Sequence, residues 1–272
     1  MPNWNGVLQE IRDNDGKTHE VRKKYLEALH KKTGRNIIAY YSGAFSNVIG
    51  PSPVLSINDD DKNGFMTAIH GLDRSKGLDL MLHTPGGNIA ATESIVQYLR
   101  DMFGTDIRAI IPQVAMSAGT MIACACDSIL MGKQSNLGPI DPQINGIPAK
   151  SVVAEFQEAL EQIKKDPACL PLWQTIIGKY HPTFLGECQR AIDWSRSIVE
   201  EWLATGMFNG EPDHQEKAKE IAERLSDNNE HYVHSRHIHI DQIEKLGLKV
   251  QRLEEDDELQ DLVLTIHHTF MY

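Results

Sequence analysis

The chain has 272 residues, 41% of them apolar, which is enough to bury a core in one large α/β domain or two small ones. Lys and Arg number 27 against 38 Asp and Glu, and the net charge of −11 excludes a general binder of nucleic acid or of anionic membrane, either of which needs a basic surplus. The four cysteines (Cys124, Cys126, Cys169 and Cys188) include no CxxC pair, so they are expected as reduced core thiols in a cytoplasmic chain.

The opening Met1-Pro2-Asn3-Trp4-Asn5 has neither the basic nor the apolar region of a signal peptide. Residues 17–34 predict a helix with Val21, Tyr25, Leu26 and Leu29 on one face and a basic back. A strand follows at 36–41, then a loop rich in Ser, Gly and Pro over 42–53. Asp59, Asp60 and Asp61 are candidate metal ligands, but acids also suit a helix start, and capping of a helix over 60–72 is the expectation. A strand at 78–83 runs into Thr84-Pro85-Gly86-Gly87-Asn88, and the next helix buries Ile95, Val96, Leu99, Met102 and Phe103. Residues 110–126 carry no charge, but they fall short of the about 20 residues a membrane span needs. Pro112, Gln113, Ser117 and Gly119 interrupt them, so a strand, a turn and a small-residue helix are expected instead.

After a strand at 128–131 and a structured loop over 137–142, helices are expected over 148–165, 183–205, 213–227 and 240–246. A short extended piece lies at 237–239, and Glu254 to Glu258 form a solvated acidic run. Strands alternating with helices predict one α/β domain with helical additions. Its parts are an N-terminal helix, strand and loop over 1–56, a body over 57–252 and an acidic tail over 253–272.

Two features carry chemistry. His83-Thr84-Pro85-Gly86-Gly87 closes a strand and opens a helix, and its glycines let backbone N–H groups approach an anion. Ala115-Met116-Ser117-Ala118-Gly119-Thr120 places a serine at the next strand-to-helix turn. Such a serine is commonly a plain N-cap. Beside a glycine pair, however, it reads as a nucleophile whose oxyanion the Gly86, Gly87 and Ala118 amides would hold.

LDLMLHTPGGNIAATESIVQYLR, IIPQVAMSAGTMIA and SNLGPIDPQ together resemble the Clp-peptidase-fold serine proteases, in the branch of the serine dehydrogenase proteinase family, related to Clp peptidase and signal peptide peptidase A. The resemblance runs from about Ile57 to Val250, closing with SRHIHIDQIEKLGLKV. It implies a Clp peptidase/crotonase-like superhelix of repeated β-β-α units, with Ser117 as nucleophile and Gly87, Gly86 and Ala118 at the oxyanion hole. It further implies a homo-oligomer, a ring or tetramer that the helix over 183–205 could serve, acting on peptide or unfolded protein.

The histidine of Clp peptidase falls at about Asp141-Pro142 here, and its acid near Ser235, so neither side chain is retained. The membrane-associated relatives use a Ser-Lys dyad with the lysine at the start of a later helix, where Lys150 stands. Independently, Pro148 suits a first helical position and puts Lys150 in the first turn, where the helix dipole disfavours a cation. A buried lysine base and an exposed lysine bearing a small penalty both fit. Lys133 and His83 are the other candidates for the base, and Asp141, in a loop flanked by Pro139 and Pro142, reads as a rigid loop cap.

His231, His234, His237 and His239 have no cysteine or acid at a zinc spacing, so no metal is expected. No cofactor is implied, and without a GxxxxGK[ST] loop any ATP dependence would need a regulatory partner. The expected activity is an ATP-independent serine endopeptidase. The alternatives are an inactive scaffold of the same fold and an α/β-hydrolase-like esterase, because A-x-S-x-G also mimics the nucleophile elbow.

Overall fold

The computed structural model describes residues 4–45, 55–227 and 233–272. Five parallel strands form the main sheet in the order β1 (Asn36–Tyr41), β2 (Leu78–His83), β3 (Ile107–Ile111), β5 (Ser128–Met131) and β10 (Val250–Arg252). β2 is buried along its whole length, as expected of a central parallel strand covered on both faces. Alternate residues of β2 go to opposite faces. Leu78, Leu80 and Leu82 join the core under α3 (Asp61–Ile69), α4 (Ile89–Phe103) and α5 (Ala118–Cys124). Met81 joins a second core with Leu29, Ile110, Leu130 and Val263. Asp79, fully buried, is tolerated because Arg35 Nε (2.7 Å) and Arg108 Nη2 (2.7 Å) clamp its two oxygens. Arg108 stands opposite Asp79 in the β2–β3 register, so the clamp also fixes that register.

A second layer of short strands lies at the carboxyl ends of the main sheet. β4 (Val114–Ala115) pairs parallel with β6 (Asn136–Leu137), which pairs antiparallel with β9 (Ile238–His239). Thr84 bridges to Ala115, and Ile57 bridges to Gly87, so the chain after β1 and after β2 joins the same layer. Each unit is therefore a main-sheet strand, a second-layer segment and a helix: β1–Ile57–α3, β2–Thr84–α4, β3–β4–α5. This is the repeated β-β-α fold that the sequence resemblance implies. The uncharged segment 110–126 divides among β3, β4 and α5, and among the described residues no helix is long and apolar enough to cross a membrane.

The helical additions are α6 (Ala149–Lys165), α7 (Leu170–Ile177), α8 (Phe184–Thr205), α9 (His214–Ser226) and α10 (Ile240–Leu246). α6 and α8 share a small core of Ala149, Val152, Phe184, Cys188 and Ile192. β7 (Gln143–Ile144) and β8 (Ile147–Pro148) form a hairpin in front of α6. α1 (Trp4–Asp13), α7 and this hairpin were not expected from the sequence. Asp60 makes no side-chain cap on α3; Asp61 Oδ2 instead accepts from Asn58 N at 2.9 Å and Tyr40 OH at 3.1 Å. The expected loop over 42–53 lies mostly outside the described residues.

The acidic run is largely exposed, as expected, but the solvated tail expected over 253–272 is instead a packed helix. Asp256 Oδ1 accepts from Leu259 N at 3.0 Å and starts α11 (Asp257–Met271), whose Val263 and Ile266 pack with Leu29 of α2 (Thr18–Thr33). α11 also buries His267, held near its neutral form by burial first and by His83 and His268 second, with its pKa pushed down to about 3. The unfolded chain binds that proton below about 6.5 and the native chain does not until about 3, so stability falls as pH drops through this window, by about 1.4 kcal/mol per unit. Denaturant titrations between pH 5.5 and 4 should therefore show a steeper loss for wild type than for His267→Phe, by about that amount per unit. Parallel slopes would refute the assignment.

Candidate active site

Ser117 lies between β4 and α5 with φ 50° and ψ −113°. A non-glycine residue held there stores strain of about 1–3 kcal/mol. Its hydroxyl makes no capping bond, so the plain N-cap role is not the one it fills. Thr120 holds the turn from behind, donating from Oγ1 to Ala115 O (2.9 Å) and accepting from Gly138 N (2.9 Å). Ser117 itself is half-buried, and among the described residues its hydroxyl has no hydrogen-bond partner.

The glycine loop abuts this turn. Gly86 has φ 103°, and a Cβ there would fall 2.8 Å from Ser117 Cβ and 3.0 Å from Ala118 N. The Gly86 N–H is donated to Thr84 Oγ1 at 3.1 Å. Gly87 is different. Ile57 N donates to Gly86 O (2.9 Å) and Asn88 N donates to Ile57 O (2.8 Å), the pattern of a parallel bridge in which the N–H of Gly87 points away from Ile57. Among the described residues the Gly87 and Ala118 amides have no acceptor, and Ala118, first in its helix, has none to find within it. Of the three amides expected at the oxyanion, two are thus open and the third is engaged.

Lys150 is the second residue of α6; Pro148 is its N-cap and not its first residue, so the helix starts one position later than expected. Burial lowers its pKa from the usual lysine value; Asp227 and Asp141 pull it back up and Arg196 lowers it further. Lys150 lines a cavity of about 330 Å³ with Gln157, Gln189 and Asp227. Its Nζ sits 3.5 Å from Ser226 Oγ and makes no hydrogen bond to Ser117.

The chain matches the family of ClpP-like SDH-type serine proteinases over residues 13–264. It belongs to that family. The match takes in α2, β1 and the first half of α11, well beyond the span of 57–250 expected from the motifs. The SDH-type proteinase chain is 31% identical over 231 residues to the uncharacterized protein MJ0137 of Methanocaldococcus jannaschii, covering 85% of this chain and 73% of that protein. It is 27% identical over 230 residues to MJ1495 of the same organism, covering 84% and 71%. Among solved structures it is similar to the 1510-N membrane-bound stomatin-specific protease at 16% identity, with a TM-score of 0.46, covering 75% of this chain and 78% of that one.

Membership of this proteinase family and the β-β-α repeat set aside the α/β-hydrolase-like esterase. The other candidates for the base likewise make no hydrogen bond to Ser117 among the described residues. His83 takes the face of β2 shared with Met81, where Tyr41 and His267 pack against its ring at 5.2 and 5.0 Å, whereas α5 covers the opposite face. Lys133 is exposed, its backbone N–H held by Glu254 Oε1 at 2.8 Å. His237 and His239 are exposed on one face of the β9 segment, and His231 lies outside the described residues.

Within the histidine cluster, His234 pairs with an acid. Its Nδ1 meets Asp141 Oδ1 at 2.8 Å, with Asp141 fully buried. Asp141 is therefore more than a loop cap, and Thr84, Thr120 and His234 complete the surroundings that sequence reasoning missed. Among the described residues no group of three His, Cys, Asp or Glu side chains is arranged to hold a metal.

Proposed function

We propose that this SDH-type proteinase is an ATP-independent serine endopeptidase in which Ser117 is the nucleophile and Lys150 the general base. Ser117 Oγ bonds to the peptide carbonyl carbon while its proton passes to neutral Lys150 Nζ, and the Gly87 and Ala118 amides hold the oxyanion. The C–N bond then breaks as the Lys150 ammonium returns the proton to the leaving amine. Water attacks the acyl-serine, gives a proton to Lys150, and Ser117 leaves as alcohol with that proton. The dyad requires Lys150 to turn its side chain off Ser226 and toward Ser117.

The observation that carries this reading is the strained Ser117 turn, its hydroxyl unbonded among the described residues, abutting a glycine loop whose Gly87 amide is open, as is that of Ala118. The reading extends to a cytoplasmic homo-oligomer acting on peptide or unfolded protein, with an unidentified regulatory partner, none of which supplies a residue to these steps. The Lys150–Ser226 contact favours a second reading, a scaffold that keeps the fold without turnover.

A fluorophosphonate probe with the adduct mapped by mass spectrometry separates the two. Modification at Ser117, lost in Ser117→Ala together with cleavage of an unfolded protein, is the expected result. An adduct elsewhere, or none in any assembly state, would refute the peptidase assignment and leave the scaffold.

A further inference from the structure

Asn145 (φ 54°) and Gly146 (φ 79°) both adopt the left-handed conformation of a two-residue type I′ turn, closing β7 and β8 in the register Ile144 to Ile147 and Gln143 to Pro148. Ala149 N donates to Pro142 O at 2.9 Å, which carries the ladder one step beyond the strands; Pro142 has no N–H to return the bond. Asp141 and Lys150 flank that bond, one residue out on either side, with Lys150 already the second residue of α6.

The Asp141 carboxylate is fully buried, and among the described residues one of its oxygens has a partner and the other has none: Oδ1 takes His234 Nδ1, while Oδ2 is buried and unpaired. A buried carboxylate oxygen without a donor is costly, and Lys150 carries three N–H donors on a flexible stem across the hairpin. The same loop is tied to the nucleophile helix through Gly138 N to Thr120 Oγ1, and to α9 through Ile140 N to Leu225 O at 3.0 Å. Asp141 therefore stands where the Ser117 helix, the start of α6 and the end of α9 meet. The charged groups facing Lys150 are Asp141 from this loop, Asp227 beyond α9 and Arg196 from α8; the group facing Asp141 from the β9 side is His234.

Building on the Ser117–Lys150 reading, we infer that Asp141 is the positioning residue for the base. Its open Oδ2 receives the Lys150 ammonium while that ammonium carries the Ser117 proton, and His234 fixes the rotation of the carboxylate. Asp141 accepts an N–H bond from that ammonium and takes no part in the proton transfer. The hairpin is the device that keeps the start of α6 beside the Asp141 loop.

Two readouts test this separately. The first is the pH dependence of Lys150 modification by trinitrobenzenesulfonate, followed by mass spectrometry in Ser117→Ala protein, with and without Asp141→Asn. The second is the pH dependence of fluorophosphonate labelling of Ser117 in wild type, Asp141→Asn and Asp141→Glu. Loss of the carboxylate should move the Lys150 midpoint down by about one pH unit. The labelling profile should shift with it while its plateau drops at least about tenfold, and Asp141→Glu should restore the midpoint. A lower plateau with unmoved Lys150 midpoint marks a merely structural role and overturns the inference. A moved Lys150 midpoint with an unmoved labelling profile upholds the charge pair and refutes Lys150 as the base. Should Asp141→Asn not fold, His234→Ala takes its place: slower Ser117 labelling with the Lys150 midpoint retained supports the inference, and an unchanged labelling rate overturns it.

Discussion

Lys150→Ala should slow the acylation of Ser117 by about 10²- to 10⁴-fold, the range that one positioned general base contributes. What survives is the part due to the amide donors and to binding. The pH profile identifies the base. Burial holds the Lys150 ammonium below the usual lysine value, with Arg196 lowering it and Asp227 and Asp141 raising it in part. A base must be neutral, so the wild-type rate rises with pH through the Lys150 titration and levels above it. In Lys150→Ala that limb disappears, and a small primary amine in the buffer should restore part of the rate. Equal labelling rates for the two proteins would sink the dyad, as would an unchanged rising limb, which would then belong to another group.

The strands of the main sheet were legible because a strand buried on both faces reads as a run of apolar residues, as in Leu80-Met81-Leu82 and Ile110-Ile111. The Ser117 turn and the glycine loop were legible as turns, because in both an apolar run gives way to small residues at a strand end. The hairpin was missed although Asn145-Gly146 between two isoleucines is a strong two-residue turn signal. Helix α11 was missed because five acids in a row suggest a solvated end, while Leu259, Val263, Ile266 and Phe270 behind them recur at helical spacing. The Asp141–His234 pair had no signal to find. Its members are 93 residues apart, and only the pairing of β6 with β9 brings their loops together. For the same reason the engagement of the Gly86 amide by Thr84 is a property of the folded turn, not of the motif.

Gly87→Ala should cost acylation about 10²- to 10³-fold, the loss seen when one oxyanion donor is removed. A Cβ at Gly87 would fall 2.3 Å from Ile57 N, 2.3 Å from Ile57 O and 2.7 Å from Ile57 Cα, all backbone atoms that no rotamer change can move aside. Ile57 is itself buried, so the glycine loop has to give way. The same displacement strains the bond from Asn88 N to Ile57 O, and with it the Asn88 side chain that caps α4 through Ala91 N at 3.0 Å. Overpacking of this kind costs about 1–3 kcal/mol, so the melting temperature should fall by several degrees. Activity measured well below that temperature separates the two losses. If folded Gly87→Ala labels at the wild-type rate, its amide is not an oxyanion donor. Gly86→Ala acts through a different contact: the new Cβ presses on Ser117 Cβ and on Met116 O, both at 2.8 Å, from a backbone already at φ 103°. It should displace the nucleophile itself, so the two neighbouring substitutions separate holding the oxyanion from aiming the hydroxyl.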